Sequence, residues 1–299
     1  MGARCRRGRA MNFAANAELI AREAGGLLRE YFARGVETEY KGDADLVTAA
    51  DRAAEKLIVE RLRADFPEHG IIGEEGTRAD LDKEYRWYVD PLDGTTNFAH
   101  GFPVFCVSMG LERRTKGLAA DEDGELIAGA VYDPTRDEMF VATKGEGATL
   151  NGRPMQVSKI PRLKEALVAT GFPSHKRHRN PNIHFYQEFT LRSHGARRAG
   201  SAALDLAYVA SGRVDAFWEF NLNPWDTAAG VLLVTEAGGT VTDFSGGKFR
   251  LDSREVLATN GQLKDEMLEV FDAMFEGRDL GEMASPAEYA ATRKGKAKG

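Results

Sequence analysis

The sequence predicts a mixed fold, α+β in its first part and α/β in its second, and three observations carry that prediction. Two amphipathic helical stretches open the chain, at 12–34 and 49–65. Between about 104 and 150, short apolar runs are separated by turns rich in Asp, Asn and Gly, the pattern of an antiparallel meander. Beyond 150, strand-like runs alternate with helical ones. The boundary between the halves falls near 150. Residues 1–10 read as an N-terminal extension, 11–150 and 151–276 as two subdomains, and 277–299 as a tail.

The elements follow from local signals. Ile20, Ala24, Leu27, Leu28 and Tyr31 recur at helical spacing, and Gly35 offers a stop. In 49–65, Leu57, Ile58, Leu62 and Phe66 share a side. Thr48 and Asp51 have capping-box spacing, which explains Asp51 without invoking chemistry. Ile71-Ile72-Gly73 reads as a short buried strand running out into Glu74 and Glu75. Trp87-Tyr88-Val89 is β-prone, and Pro91 is expected to end that strand between Asp90 and Asp93. Gly94-Thr95-Thr96-Asn97 is turn and helix-start chemistry. Val104–Leu111 is apolar enough for a central strand, with 126–132 and 138–143 completing the meander. Residues 144–148 read as a glycine-rich loop and Asn151-Gly152 as a hairpin turn. Further on, strands are expected at 163–170, 214–220, 239–244 and 255–259, and helices at 183–193, 202–211, 226–237 and 262–275.

Composition narrows the function. Hydrophobic residues make up 42% and charged residues 29%, an ordinary globular mix. The net charge of −6 argues against a protein whose whole surface binds nucleic acid. No apolar run approaches the ~18 residues of a membrane span. The basic start, with Arg4, Arg6, Arg7 and Arg9, lacks the apolar core of a secretory signal, and Met11 is an alternative start. Cys5 and Cys106 demand no oxidising compartment. A cytoplasmic enzyme is the class these features favour. His175, His178 and His184 have no accompanying cysteine, so a zinc site is not expected there.

Four acidic stations stand out: Asp51, Glu74, the pair Asp90/Asp93, and Asp226. Each falls at an expected strand end or first helical turn. Acids at helix starts suit the helix dipole, which is a sufficient account of Asp51 and Asp226 taken singly. If the strands share a sheet, however, their ends can meet. Clustered carboxylates repel unless cations neutralise them, and hard cations such as Mg²⁺ prefer oxygen ligands.

Gly73-Glu74-Glu75, Asp90-Pro91-Leu92-Asp93-Gly94-Thr95-Thr96-Asn97-Phe98 and Trp225-Asp226-Thr227-Ala228-Ala229-Gly230 resemble the signature segments of the inositol monophosphatase family, and Leu46–Asp51 matches a further one. Gly200–Leu206 resembles the bacterial inositol-1-monophosphatase branch. The match runs from about residue 12 to 275, in order and spacing. The resemblance implies an αβαβα layered sandwich and Mg²⁺-dependent hydrolysis of a phosphate monoester, with two to three ions per site. One ion would use Glu74, Asp90 and the Leu92 carbonyl. A second would use Asp90, Asp93 and Asp226, and a third would sit near Glu74 through water. Thr95, hydrogen-bonded to Asp51, would orient and deprotonate the attacking water. The Gly94 and Thr95 amides would hold the phosphate. Glu219 and the Gly200-Ser201-Ala202 backbone would meet the alcohol. The resemblance also implies a homodimer, lithium sensitivity and, as an additional role, association with the transcription machinery. The basic segments at 4–9, 175–179 and 197–198 could serve that partner. Fructose-1,6-bisphosphate, histidinol phosphate and adenosine bisphosphate remain alternative substrates.

Overall fold

The computed structural model describes residues 12–35, 38–40, 46–114, 124–172 and 180–278. The chain begins with α1 (Phe13–Arg34), capped by the Asn12 side chain, then the hairpin β1 (Thr38–Tyr40) and β2 (Leu46–Thr48), and α2 (Ala49–Asp65). Next come β3 (Gly70–Gly73), β4 (Arg78–Ala79), β5 (Tyr85–Asp93), the short α3 (Thr95–Ala99), β6 (Cys106–Arg113), β7 (Glu125–Asp133), β8 (Glu138–Thr143), β9 (Gly147–Leu150) and β10 (Arg153–Pro154). A 3₁₀ turn (Leu163–Glu165) leads into β11 (Leu167–Thr170), α4 (Asn182–Arg192), β12 (Gly195–Arg197), α5 (Ala202–Ala210), β13 (Ala216–Phe220), α6 (Pro224–Glu236), β14 (Thr240–Thr242), β15 (Glu255–Thr259) and α7 (Lys264–Phe275).

Two sheets organise these elements. The larger has strand order β10-β9-β8-β7-β6-β5-β3-β4, antiparallel except where β3 runs parallel to β5. The smaller has order β12-β11-β13-β15-β14, with β11 parallel to both β12 and β13. Helices α1 and α2 cover one face of the large sheet. Helices α5 and α6 lie between the sheets. Helices α4 and α7 cover the outer face of the small sheet, packing Phe185, Phe189 and Phe271 around Trp218. The result is the αβαβα sandwich.

The period-2 rule sorts the strands between these layers. On β6, Val107, Met109 and Leu111 face α1 and α2, while Cys106 faces the middle layer. Gly110 lies against α6 so closely that a Cβ there would sit 2.6 Å from Ala228 Cβ. Several details differ from the sequence reading. The expected loop at 144–148 ends early, since Gly147–Leu150 pairs with β8, and the Asn151-Gly152 turn then delivers β10, both turn residues having positive φ. The run at 163–170 splits into the 3₁₀ turn and β11, and β12 was not anticipated because Gly195-Ala196-Arg197 carries no β-branched or aromatic residue. The histidines at 175 and 178 lie outside the described residues. Among the described residues no helix is long and apolar enough to cross a membrane.

Candidate active site

The site begins with an irregularity in β5. Pro91 does not end the strand, because pairing with β6 resumes at Asp93. Asp90 pairs with Ser108 and Asp93 with Cys106, so three steps on β5 oppose two on β6. One extra residue is a β-bulge, placed where proline supplies no N–H to the ladder. In a regular strand, residues three apart point to opposite faces. The bulge turns Asp90 and Asp93 toward the same cleft. The Leu92 amide donates to Asp90 Oδ1 at 3.0 Å. Gly94 then takes φ 98°, and a Cβ there would lie 2.8 Å from the Val104 carbonyl oxygen, so the passage into α3 requires glycine.

The remaining stations converge on this bulge. Gly73 of β3 pairs beside Val89, and the Glu74 amide donates to the Val89 carbonyl at 3.1 Å. The Asp93 carboxylate accepts from Ser201 Oγ and the Ala203 amide, both at 2.7 Å, which ties β5 to the start of α5. Asp226 closes a capping box at the start of α6, accepting from the Asn223 amide at 2.7 Å. Together Glu74, Asp90, Leu92, Asp93, Gly94, Thr95, Gly200, Ser201, Ala202, Glu219 and Asp226 line one cleft of about 210 Å³. Asp51 is not in its wall. It stands behind, in the α2 capping box, and its Oδ1 accepts from Thr95 Oγ1 at 3.1 Å. Capping and a link to the site are therefore both true of Asp51. Glu219, which could have been an exposed strand residue, is only 6% exposed.

Burial and like charge raise these acids. Burial is the largest cause for Asp90, which is held well above the usual carboxylate range, with Glu74, Asp93 and Asp226 adding repulsion. Asp226 is pushed up to about 7 by burial and by Asp93. Asp93 is raised by burial, against the opposing hydrogen bonds from Ser201 and Ala203. Glu219 is raised by burial, then by Asp205, Asp226 and Asp93. Among the described residues, no three His, Cys, Asp or Glu side chains close on one point as a finished cage. The donor set nonetheless fits a hard cation: four carboxylates and a carbonyl around one cleft, all oxygen, with Asp90 repelled by the charges of Glu74, Asp93 and Asp226. The same set suits zinc poorly, since neither histidine nor cysteine lines the cleft.

Residues that the sequence reading did not single out support the site. Glu55, one helical turn after Asp51 on α2, accepts from the Glu75 amide (2.7 Å), the Thr77 amide (3.1 Å) and Thr77 Oγ1 (2.7 Å). It thereby holds the turn that carries Glu74. The i, i+4 spacing of two acids on the apolar side of a helix was the available signal. Asn97 Nδ2 donates to the Val104 and Ala199 carbonyls, both at 2.8 Å, joining α3 to the approach to α5. Arg198 lines the rim of the cleft, and Asp205 lies buried behind it. All three lie in motifs and basic segments noted in the sequence, where they were assigned no role in the site.

The model of the inositol monophosphatase family matches residues 11–274. The chain belongs to that family. It is similar to the Nus factor SuhB of Pseudomonas aeruginosa, 45% identical over 248 residues, which cover 80% of this chain and 88% of that protein. It is similar to the inositol-1-monophosphatase of Synechocystis, 43% identical over 255 residues, covering 84% and 85%. Among solved structures, an inositol monophosphatase from Anabaena superposes with a TM-score of 0.76 at 41% identity, covering 87% of this chain and 95% of that one. The protein is thus a phosphatase of this family, and the family's substrates are small phosphate esters.

Proposed function

We propose that this phosphatase hydrolyses myo-inositol 1-phosphate or a closely related polyol phosphate with the help of Mg²⁺. One observation carries the reading: a single cleft gathers Glu74, Asp90, the Leu92 carbonyl, Asp93 and Asp226 beside the Thr95–Asp51 hydrogen bond, with Glu219 also in its wall. Glu74, Asp90 and the Leu92 carbonyl would hold one ion. Asp90, Asp93 and Asp226 would hold a second, and a third would approach Glu74 through water. When bound, Mg²⁺ neutralises the clustered carboxylates and the phosphate and makes water a competent nucleophile near neutral pH.

The chain's own groups do the positioning. Thr95 Oγ1 stands between Asp51 Oδ1 (3.1 Å) and the Leu92 carbonyl (3.0 Å). When its single proton points to Asp51, its lone pair can receive a proton from water as its own proton passes to Asp51 Oδ1, so the hydroxyl stays neutral and the carboxylate ends protonated. The first amides of a helix lack intrahelical acceptors, so Gly94 and Thr95 at the start of α3 offer donors to phosphate oxygens. Glu219 can accept hydrogen bonds from vicinal hydroxyls, which favours a polyol over a plain alkyl ester. The Gly200-Ser201-Ala202 backbone forms the adjoining wall. Little covalent chemistry is asked of the protein, since positioning and charge neutralisation carry most of phosphoryl transfer.

The deciding experiment is phosphate release from D- and L-myo-inositol 1-phosphate, fructose 1,6-bisphosphate, histidinol phosphate and adenosine bisphosphate, with Mg²⁺ and with EDTA. Fast, Mg²⁺-dependent release from an inositol phosphate is expected. Preference for another ester changes the substrate and leaves the site reading intact. The similarity to the Nus factor SuhB favours a second, additional reading, association with the transcription machinery. A pull-down against RNA polymerase and its elongation factors tests it, and recovery of nothing counts against it.

A further inference from the structure

Two of the acidic stations stand on separate pieces of the fold. Glu74 follows β3 of the large sheet, and Asp226 opens α6 of the middle layer. Their separation therefore depends on how the β3–β4 turn rests on the start of α6. One side chain spans that joint. Arg78, at the head of β4, donates from Nη1 to the Gly73 carbonyl, immediately before Glu74, and to the Thr77 carbonyl at 2.8 Å. Its guanidinium carbon lies 4.9 Å from the centre of the Trp225 ring, the residue immediately before Asp226. Trp225 packs against the cluster of Tyr88, Ala228 and Leu251, and its carbonyl accepts from Ser108 Oγ at 3.3 Å. Glu55 holds the same turn, but from α2, and makes no link to α6.

We propose that Arg78 is a positioning residue which, by holding the Gly73 carbonyl while stacking on Trp225, sets the spacing between Glu74 and Asp226 across the cation site. Arginine suits the role because its planar fork donates in plane while its face stacks, and lysine offers no such face. The inference rests on the reading above that Glu74 and Asp226 hold cations, and its test separates the two.

Mn²⁺ binding is measured by electron paramagnetic resonance on the full chain, in wild type, Arg78→Ala, Arg78→Lys, Trp225→Leu, the Arg78→Ala/Trp225→Leu pair and Glu74→Gln. Arg78→Ala is expected to weaken Mn²⁺ roughly fivefold, the scale of one partly exposed cation–π contact, with KM for the ester unchanged and the Mg²⁺ needed for half-maximal rate raised. Arg78→Lys is expected to weaken it nearly as much. The double variant is expected to be no weaker than its worse single parent, because the two residues act as one unit. Wild-type Mn²⁺ affinity in both Arg78 variants, with binding lost in Glu74→Gln, overturns the positioning role and leaves the cation site standing. Wild-type affinity in Glu74→Gln as well overturns the site reading and this inference with it. Arg78 is exposed, so both variants are expected to fold, and the lysine variant alone suffices if the alanine variant does not.

Discussion

Asp93 and Asp226 illustrate how one carboxylate serves both fold and site. Each has an oxygen engaged by its own chain, Asp93 by Ser201 and Ala203, Asp226 by Asn223. Asparagine keeps an acceptor for those bonds and loses only the charge. Asp93→Asn and Asp226→Asn are therefore expected to fold normally and to lose activity on the order of 10²–10³-fold, as for removal of one strong electrostatic contact. Circular dichroism and phosphate release together check this, and near-normal turnover at saturating Mg²⁺ in either variant would falsify the site. His69 makes a separate, structural prediction. Its Nδ1 accepts from Trp87 Nε1 at 3.0 Å, and its ring stacks on Phe66 and Tyr85. Burial lowers its pKa to about 4, from an ordinary value near 6.5. The unfolded chain therefore takes up the proton first as pH falls. The contribution of His69 is fully present above about 6.5 and is lost as pH drops toward 4, where up to about 2 kcal/mol disappears. Urea melts between pH 7 and 4.5 should show this as a difference, the wild type losing stability relative to His69→Gln, which keeps an acceptor and does not titrate, while the raised acids of the cleft shift both proteins alike.

At the scale of elements, α6 and the large sheet are the joint that matters. Glycines on facing elements let backbones approach. A Cβ at Gly110 would meet Ala228 Cβ at 2.6 Å and the Ala229 nitrogen at 2.8 Å, and one at Gly129 would lie 3.1 Å from Ala229 Cα. Gly110→Val forces α6 off the sheet, and α6 carries Asp226 at its first turn. We expect a loss of about 3 kcal/mol in chemical denaturation, typical of overpacking, and a fall in Mg²⁺ affinity at temperatures where the variant is still folded. An unchanged affinity would show that the helix start is held by other means. The elements themselves were legible in sequence: α2, β8 and β15 occupy the residues that their periodicity marked. Strands without strong β-formers, such as β4 and β12, were not, since pairing with neighbours creates them.

At the scale of the whole molecule, the proposed cation site draws on both sheets and the layer between them. Glu74, Asp90 and Asp93 arrive from the large sheet, Glu219 from the small one, Ser201 and Asp226 from the middle helices. Mutual repulsion of the acids opposes that assembly, and a divalent ion reverses the sign. Mg²⁺ at ~100 times its dissociation constant is expected to raise the melting temperature by roughly 5–10 °C over the protein in EDTA. Calorimetry checks this, and Asp90→Asn is expected to melt higher than wild type in EDTA yet gain little from Mg²⁺. Equal gains in both proteins would place the ion elsewhere.

The sequence by itself determined the helices and strands with strong periodicity, the four acidic stations and the family they resemble, because local pattern and motif spacing are properties of the chain. The tertiary structure alone decided that Asp90 and Asp93 share a face, since one extra residue in β5 is defined only against β6. It likewise decided that Glu55 holds the turn of Glu74 and that Arg78 meets Trp225. Those are contacts between residues distant along the chain, and no local propensity encodes a distance that only packing creates.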